Sequence, residues 1–115
     1  MDYIMGSFVP AVNSNHELKS HGFVTNNYID IKTTQINSFW LPVIVVWNGS
    51  VALIQLKGSS APTVTSVSGS IDLLSVSTIS NGIRININAN SVRGGIILFA
   101  PAITLAAITI SDVAK

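Results

Sequence analysis

The chain has 115 residues, of which 48% are hydrophobic and 10% charged, with a formal net charge of +1 and no cysteine. This balance excludes a disordered tail, which needs low hydrophobicity and high net charge, and the missing cysteine excludes disulfides, thiolate nucleophiles and cysteine-ligated metals together. Lys19, Lys32, Lys57, Arg84, Arg93 and Lys115 are spread singly, so no basic patch is present to displace counterions from a nucleic acid.

Residues 1–22 read as an N-terminal arm or lead-in, with one short strand at Phe8 and Val9. Asp2 stands where a secretory signal needs basic residues, so no such signal is expected. Met5-Gly6-Ser7 is compatible with a vector junction, which would make the natural chain longer. The stretch His16-Glu17-Leu18-Lys19-Ser20-His21 resembles a zinc-protease helix only superficially, because its histidines are five apart where one helical face needs four. Both read as ordinary loop histidines, and neither a metal nor another cofactor is expected.

Residues 23–115 read as one all-β domain. Ile, Val and Thr supply 36 residues of the chain, and no window keeps the apolar spacing of an amphipathic helix. Tyr28 to Ile36 forms a strand with Ile29 and Ile31 on one face and Asp30 and Lys32 on the other. The uncharged stretches Thr33 to Leu56 and Gly94 to Ser111 are long enough to cross a membrane. Pro42, Pro101 and the run Trp47-Asn48-Gly49-Ser50 break them, however, and β-branched residues fill them, so membrane insertion is not expected.

The strongest local signal is a hairpin from Phe39 to Lys57, in which Asn48-Gly49 supplies the two positive-φ residues of a type I′ turn. That turn outweighs the glycosylation pattern Asn48-Gly49-Ser50. A two-residue loop pairs Trp47 with Ser50, Val45 with Ala52, Val43 with Ile54 and Leu41 with Leu56 on one face. Val46 with Val51, Ile44 with Leu53, and Trp40 with Lys57 share the other. Both faces are apolar, which predicts burial on both sides, by a second sheet and by a further sheet or a neighbouring subunit. After a turn at Gly58-Ser59-Ser60-Ala61-Pro62 comes a strand from Thr63 to Ser68.

A second hairpin, Ser70 to Asn90, is expected to turn at Asn81-Gly82. It puts Val76 opposite Ile87 and Thr78 opposite Ile85 on an apolar face, with Ser75, Ser77, Arg84, Asn86, Asn88 and Asn90 on the other. Arg93-Gly94-Gly95 then leads into two final strands, Ile96 to Ala100 and Ala102 to Ile110, separated by Pro101. The total is about seven or eight strands, an antiparallel β-sandwich or jelly-roll-like domain. A domain this small buries only about two-thirds of its unfolded surface. The surplus apolar area therefore predicts a homo-oligomer, with a trimer favoured and Ile44, Val46, Val51, Leu53, Phe99, Ile103 and Leu105 as interface residues.

No catalytic residue emerges: there is no Gly-x-Ser-x-Gly elbow, and nothing brings Asp30 and Asp72 together among the scattered carboxylates Asp2, Glu17, Asp30, Asp72 and Asp112. The Arg84, Asn86, Asn88, Asn90 strip has three readings, as a solvated strand face, a subunit seam or a ligand face. Carboxamides both donate and accept and so suit sugar hydroxyls, while an Arg grips a carboxylate. Trp40 and Tyr28, on the more polar faces of their strands, are the candidate ring platforms for such a ligand, or else interface residues.

Gly22-Phe23-Val24-Thr25, the strand Tyr28-Ile29-Asp30-Ile31, Trp47-Asn48-Gly49-Ser50-Val51 and the Ser/Asn/Thr-rich, charge-poor ending resemble the distal domains of bacteriophage tail fibres and tailspikes. The resemblance covers residues 20–115 and lies in texture and turn pattern. It implies a non-enzymatic, trimeric virion tip, exposed on the mature particle, that binds a glycan or an outer-membrane protein of the bacterial surface. The alternatives are a capsid, coat or decoration protein whose arm reaches a neighbouring subunit, and a free-standing lectin-like carbohydrate-binding module.

Overall fold

A computed structural model describes residues 16–34, 40–57 and 60–115, with the side chains of residues 40, 56, 57, 60 and 61 outside that description. Phe8, Val9, Ile36, Phe39 and the Gly58-Ser59 part of the expected turn also lie outside the described residues. Among the described residues, nine antiparallel strands and one short helix follow in chain order: β1 His16–Val24, β2 Asn27–Thr33, β3 Trp40–Trp47, β4 Ser50–Lys57, β5 Ser60–Ser68, β6 Leu74–Ile79, β7 Gly82–Ile87, β8 Arg93–Pro101, α1 Ala102–Ala106 and β9 Ile108–Ala114. They make a five-stranded sheet, β1-β8-β3-β4-β5, and a four-stranded sheet, β9-β2-β7-β6. The expected all-β sandwich is the observed architecture.

The core lies between the sheets. The four-stranded sheet contributes Ile29, Ile31, Ile83, Ile85, Ile87 and Ile108, and the five-stranded sheet contributes Phe23, Leu41, Val43, Val45, Trp47, Ala52, Ile54, Ile96, Leu98 and Ala100. Alternation along each strand puts every second side chain inside, so a run such as Ile83-Arg84-Ile85-Asn86-Ile87 buries its isoleucines and turns Arg84 and Asn86 outward. The β3–β4 register is the one the Asn48-Gly49 turn dictates, from Trp40 opposite Lys57 to Trp47 opposite Ser50. Both turn residues have positive φ, 43° at Asn48 and 78° at Gly49.

The β6–β7 hairpin has the expected faces in a register shifted by two. Val76 pairs with Ile85 and Thr78 with Ile83, so the closing pair is Ile79 with Gly82 and the loop is Ser80-Asn81. Only Asn81 of that loop has positive φ, at 64°. Gly82 belongs to the strand, where it pairs with Lys32 of β2, and a Cβ there would overlap the Ile31 carbonyl. The glycine therefore permits close strand contact instead of forming the turn. A slip of two leaves every side chain on its expected face, whereas a slip of one would have reversed them all.

Three further expectations are corrected. His16 to Gly22, read as lead-in, form most of β1, paired with β8 from His16 opposite Pro101 to Val24 opposite Arg93. The Arg93-Gly94-Gly95 lead-in is itself part of β8. Gly94 is required there, because a Cβ would overlap the Phe23 ring that packs over it. The expected strand Ala102 to Ile110 begins instead as α1, since the chain must cross here from one sheet to the other. One helical turn makes that crossing and plugs the end of the sandwich with Leu105, which is only 6% exposed.

Replacing Ile85, which is completely buried, by Ala is expected to destabilise the fold by about 3–5 kcal/mol through lost transfer energy and a residual cavity. Gly82→Ala is expected to cost about 1–3 kcal/mol by overpacking against β2, with Ser80→Ala close to wild type. Urea denaturation of the three variants checks both expectations.

Candidate functional site

The outward face of the four-stranded sheet carries most of the polar residues singled out above. Its centre is Asp30 of β2 opposite Arg84 of β7. Arg84 donates Nε–H to Asp30 Oδ1 at 2.7 Å and Nη2–H to Oδ2 at 2.9 Å, a bidentate pair. Asp30 is 2% exposed although it points outward, because its partner covers it, and Arg84 keeps about a third of its side chain in solvent. The hydrogen bonds and charge of Arg84 hold the Asp30 carboxyl below its usual range, outweighing the opposing effect of burial, and Lys32 adds to the lowering. The same hydrogen bonds raise Arg84.

Tyr28 does not offer a bare ring. The Arg84 guanidinium lies 4.7 Å from its centroid and Lys115 Nζ 5.7 Å from it, both within cation–π range. Lys115 Nζ also donates to the Ile87 carbonyl at 3.0 Å. Asn86 stands next on β7, opposite Ser75, with its Oδ1 buried and unpartnered among the described residues. Asn88 and Asn90 lie beyond the end of this strand. β7 ends at Ile87, the Ala89 N–H bonds back to the Ile87 carbonyl, and Ser91 turns the chain at φ 57°. Of the expected strip of four, Arg84 and Asn86 stand in β7, the Asn88 N–H continues the pairing with β6 by donating to the Leu73 carbonyl at 2.9 Å, and Asn88 and Asn90 are exposed in the adjoining loop. The Trp40 side chain lies outside the described residues.

The outward face of the five-stranded sheet is different in kind. Leu18 and Phe99 face each other across β1 and β8, Ile97 faces Ile44, and Val46 and Ile44 face Val51 and Leu53. Leu18 is 70% and Phe99 46% exposed. Among the described side chains, Arg93 is the one Asp, Glu, Lys or Arg on this face, and it sits at one end. Beside it a shallow depression of about 500 Å³ is lined by Val46, Asn48, Arg93, Gly95 and Ile97.

Five of the seven expected interface residues, Ile44, Val46, Val51, Leu53 and Phe99, therefore share one surface. The other two do not join it. Leu105 is buried in the core, and Ile103 is exposed on α1 at the end of the sandwich.

His16 and His21 lie on opposite sides of β1. The His16 ring packs 5.0 Å from that of Phe99, whereas His21 Nε2 is 2.8 Å from Asp112 Oδ1 of β9. With the Lys19 ammonium donating to the Ile108 carbonyl at 2.9 Å, this contact ties β1 to the edge of the other sheet. No cluster of three or more metal-ligating side chains occurs among the described residues. No helix is long and apolar enough to cross a membrane among them either. No family model, curated protein or solved structure matches this chain.

The depressed Asp30 pKa fixes the sign of a pH effect. A carboxyl whose folded pKa lies below its unfolded value stabilises the fold above the unfolded value, near pH 4, and loses that contribution as pH falls through the folded one. Asp30→Asn is expected to lower stability at pH 7 by about 1–3 kcal/mol. The gap from wild type is expected to shrink below about pH 4. Thermal melts between acid and neutral pH check this; a gap independent of pH would show that the pair carries no charge linkage.

Proposed function

We propose that this chain is a non-enzymatic subunit of a virion surface structure, the tip of a phage tail fibre that self-associates and contacts the bacterial surface. The observation that supports self-association is the contrast between the two outward faces of one molecule. An antiparallel sheet that faces water alternates apolar and polar side chains. The four-stranded sheet does so with Asp30, Lys32, Ser75, Ser77, Arg84 and Asn86, whereas on the five-stranded sheet the apolar Leu18, Ile44, Val46, Val51, Leu53, Ile97 and Phe99 outnumber the polar Ser20, Gln55, Thr63 and Thr65. A surface of that composition on a soluble domain marks an interaction site. The assignment to a virion tip rests on the texture that residues 20–115 share with tail-fibre ends.

The polar face and its adjoining loop are the host-contacting surface in this reading. Asn86, Asn88 and Asn90 supply carboxamides suited to glycan hydroxyls, and Arg84 retains N–H groups beyond the two that hold Asp30.

Light scattering of the purified protein is expected to show an oligomer, and Ile44→Lys is expected to convert it to a folded monomer. A wild type that is monomeric at micromolar concentration overturns the assembly reading. Labelled wild-type protein is expected to adsorb to a susceptible strain in a panel of bacterial cells, with adsorption reduced at least tenfold in Asn86→Ala/Asn88→Ala while the oligomer persists. Adsorption to no strain overturns the host-binding reading.

A further inference from the structure

The dipeptide Asn-Gly occurs at Asn48-Gly49 and at Asn81-Gly82, and the fold holds the two in opposite ways. An asparagine followed by glycine is open to attack on its own carboxamide by the next backbone nitrogen, because glycine has no Cβ to obstruct the approach. Closing that ring requires the peptide unit between the two residues to turn about the soft dihedrals on either side of it. Whether it can turn depends on what holds it.

At Asn81-Gly82 the peptide unit is held from several directions. The Asn81 carbonyl accepts the Thr33 N–H at 2.9 Å. Gly82 is buried in β7, paired with Ile79 of β6 on one side and with Lys32 of β2 on the other, and the Ile31 carbonyl occupies the space a Cβ would need. Turning this peptide disrupts the junction of three strands.

At Asn48-Gly49 such restraints are missing. The β3–β4 ladder closes at Trp47 and Ser50, so the peptide between Asn48 and Gly49 lies beyond it, and it makes no backbone hydrogen bond among the described residues. Both residues are exposed, and a Cβ on Gly49 would meet nothing within 4 Å. The Asn48 carboxamide has no hydrogen-bond partner among the described residues either. Exposed backbone with so few contacts opens locally with little free energy.

We infer that Asn48 is a site of spontaneous covalent modification, deamidation through a cyclic imide, and that the fold protects Asn81 from the same reaction. The Gly49 nitrogen bonds to Asn48 Cγ and gives up its proton, while the Cγ–Nδ2 bond breaks and ammonia leaves. Water then opens the imide. Cleavage between Cγ and the Gly49 nitrogen leaves aspartate in an ordinary backbone, whereas cleavage between the Asn48 carbonyl carbon and that nitrogen leaves isoaspartate, with the chain running through the side chain. By either route a water is consumed, an ammonia is released, and the formal net charge at pH 7 falls from +1 to zero.

The new carboxylate arises beside a free positive charge. Asn48 and Arg93 line the same depression at one end of the five-stranded sheet, and Arg93 has no hydrogen bond or ion pair among the described residues. The modification therefore brings a negative charge to the rim of the apolar face, next to its arginine. The isoaspartate product also lengthens the two-residue loop that sets the β3–β4 register.

Incubation of the folded protein at mildly alkaline pH, followed by proteolysis and peptide mass spectrometry, tests the inference on both sites of one molecule. Conversion at Asn48 is expected to be at least tenfold faster than at Asn81, with isoaspartate among the products. In guanidinium chloride, with the fold lost, the two sites are expected to convert at similar rates. Equal rates in the folded protein, or an Asn48 that converts only after unfolding, overturns the inference. A preference for Asn48 that persists undiminished in denaturant overturns it too, since the difference then lies in the neighbouring residues and not in the fold.

Discussion

Ile29, Ile31, Ile85 and Ile87 from one sheet meet Val43, Val45, Ile54, Ile96 and Leu98 from the other, and the rest of the molecule depends on that contact. Two facing sheets hold their side chains in a layer about 10 Å thick. Once these residues are inside, the period of two along every strand decides what is outside. Asp30, Arg84 and Asn86 are presented on one surface because the isoleucines beside them are hidden, and Ile44, Ile97 and Phe99 are presented on the other for the same reason. The core thus distributes the chemistry of both outer surfaces.

Those surfaces solve the problem of a small domain in two ways. On the four-stranded sheet, the two opposite charges Asp30 and Arg84 neutralise each other and the Arg84 guanidinium covers Tyr28, so the surface is polar yet largely self-satisfied. A paired carboxylate this deeply covered is held by its hydrogen bonds and not by charge attraction alone. On the five-stranded sheet no such pairing occurs among the described side chains, and apolar side chains that do not fit between the sheets lie on its outer face.

How far the sequence discloses this depends on the range of the interaction. The β3–β4 register is legible because Asn48-Gly49 satisfies the dihedral demands of one turn type, a purely local matter. The β6–β7 register is misread by two because Gly82, which suits a turn, is claimed by its contact with Ile31 across the sheet, and that neighbour is unknown until β2 is placed. β1 shows little alternation since Lys19 and His21 point inward and reach across to β9, so polar residues occupy positions where an apolar pattern would have marked a strand. The Asp30–Arg84 pair spans 54 residues and follows only from the β2–β7 pairing. In Ala102 to Ile110, β-branched residues suggest a strand, while the crossing between sheets imposes a helical turn first.

The pairing of β1 with β8 also orders events in time. His16 meets Pro101 and Val24 meets Arg93, so β1 finds its partner only after every strand between it and β8 has been synthesised. The β3–β4 and β6–β7 hairpins close within short loops and can form as they emerge, but β1 must wait, and distant pairings of this kind are slow to establish. Until β8 arrives, Phe23 has neither Gly94 beneath it nor a core to enter. The nascent chain therefore passes through a stage in which β1 has no partner in the larger sheet, and its docking is a late event in completing the sandwich.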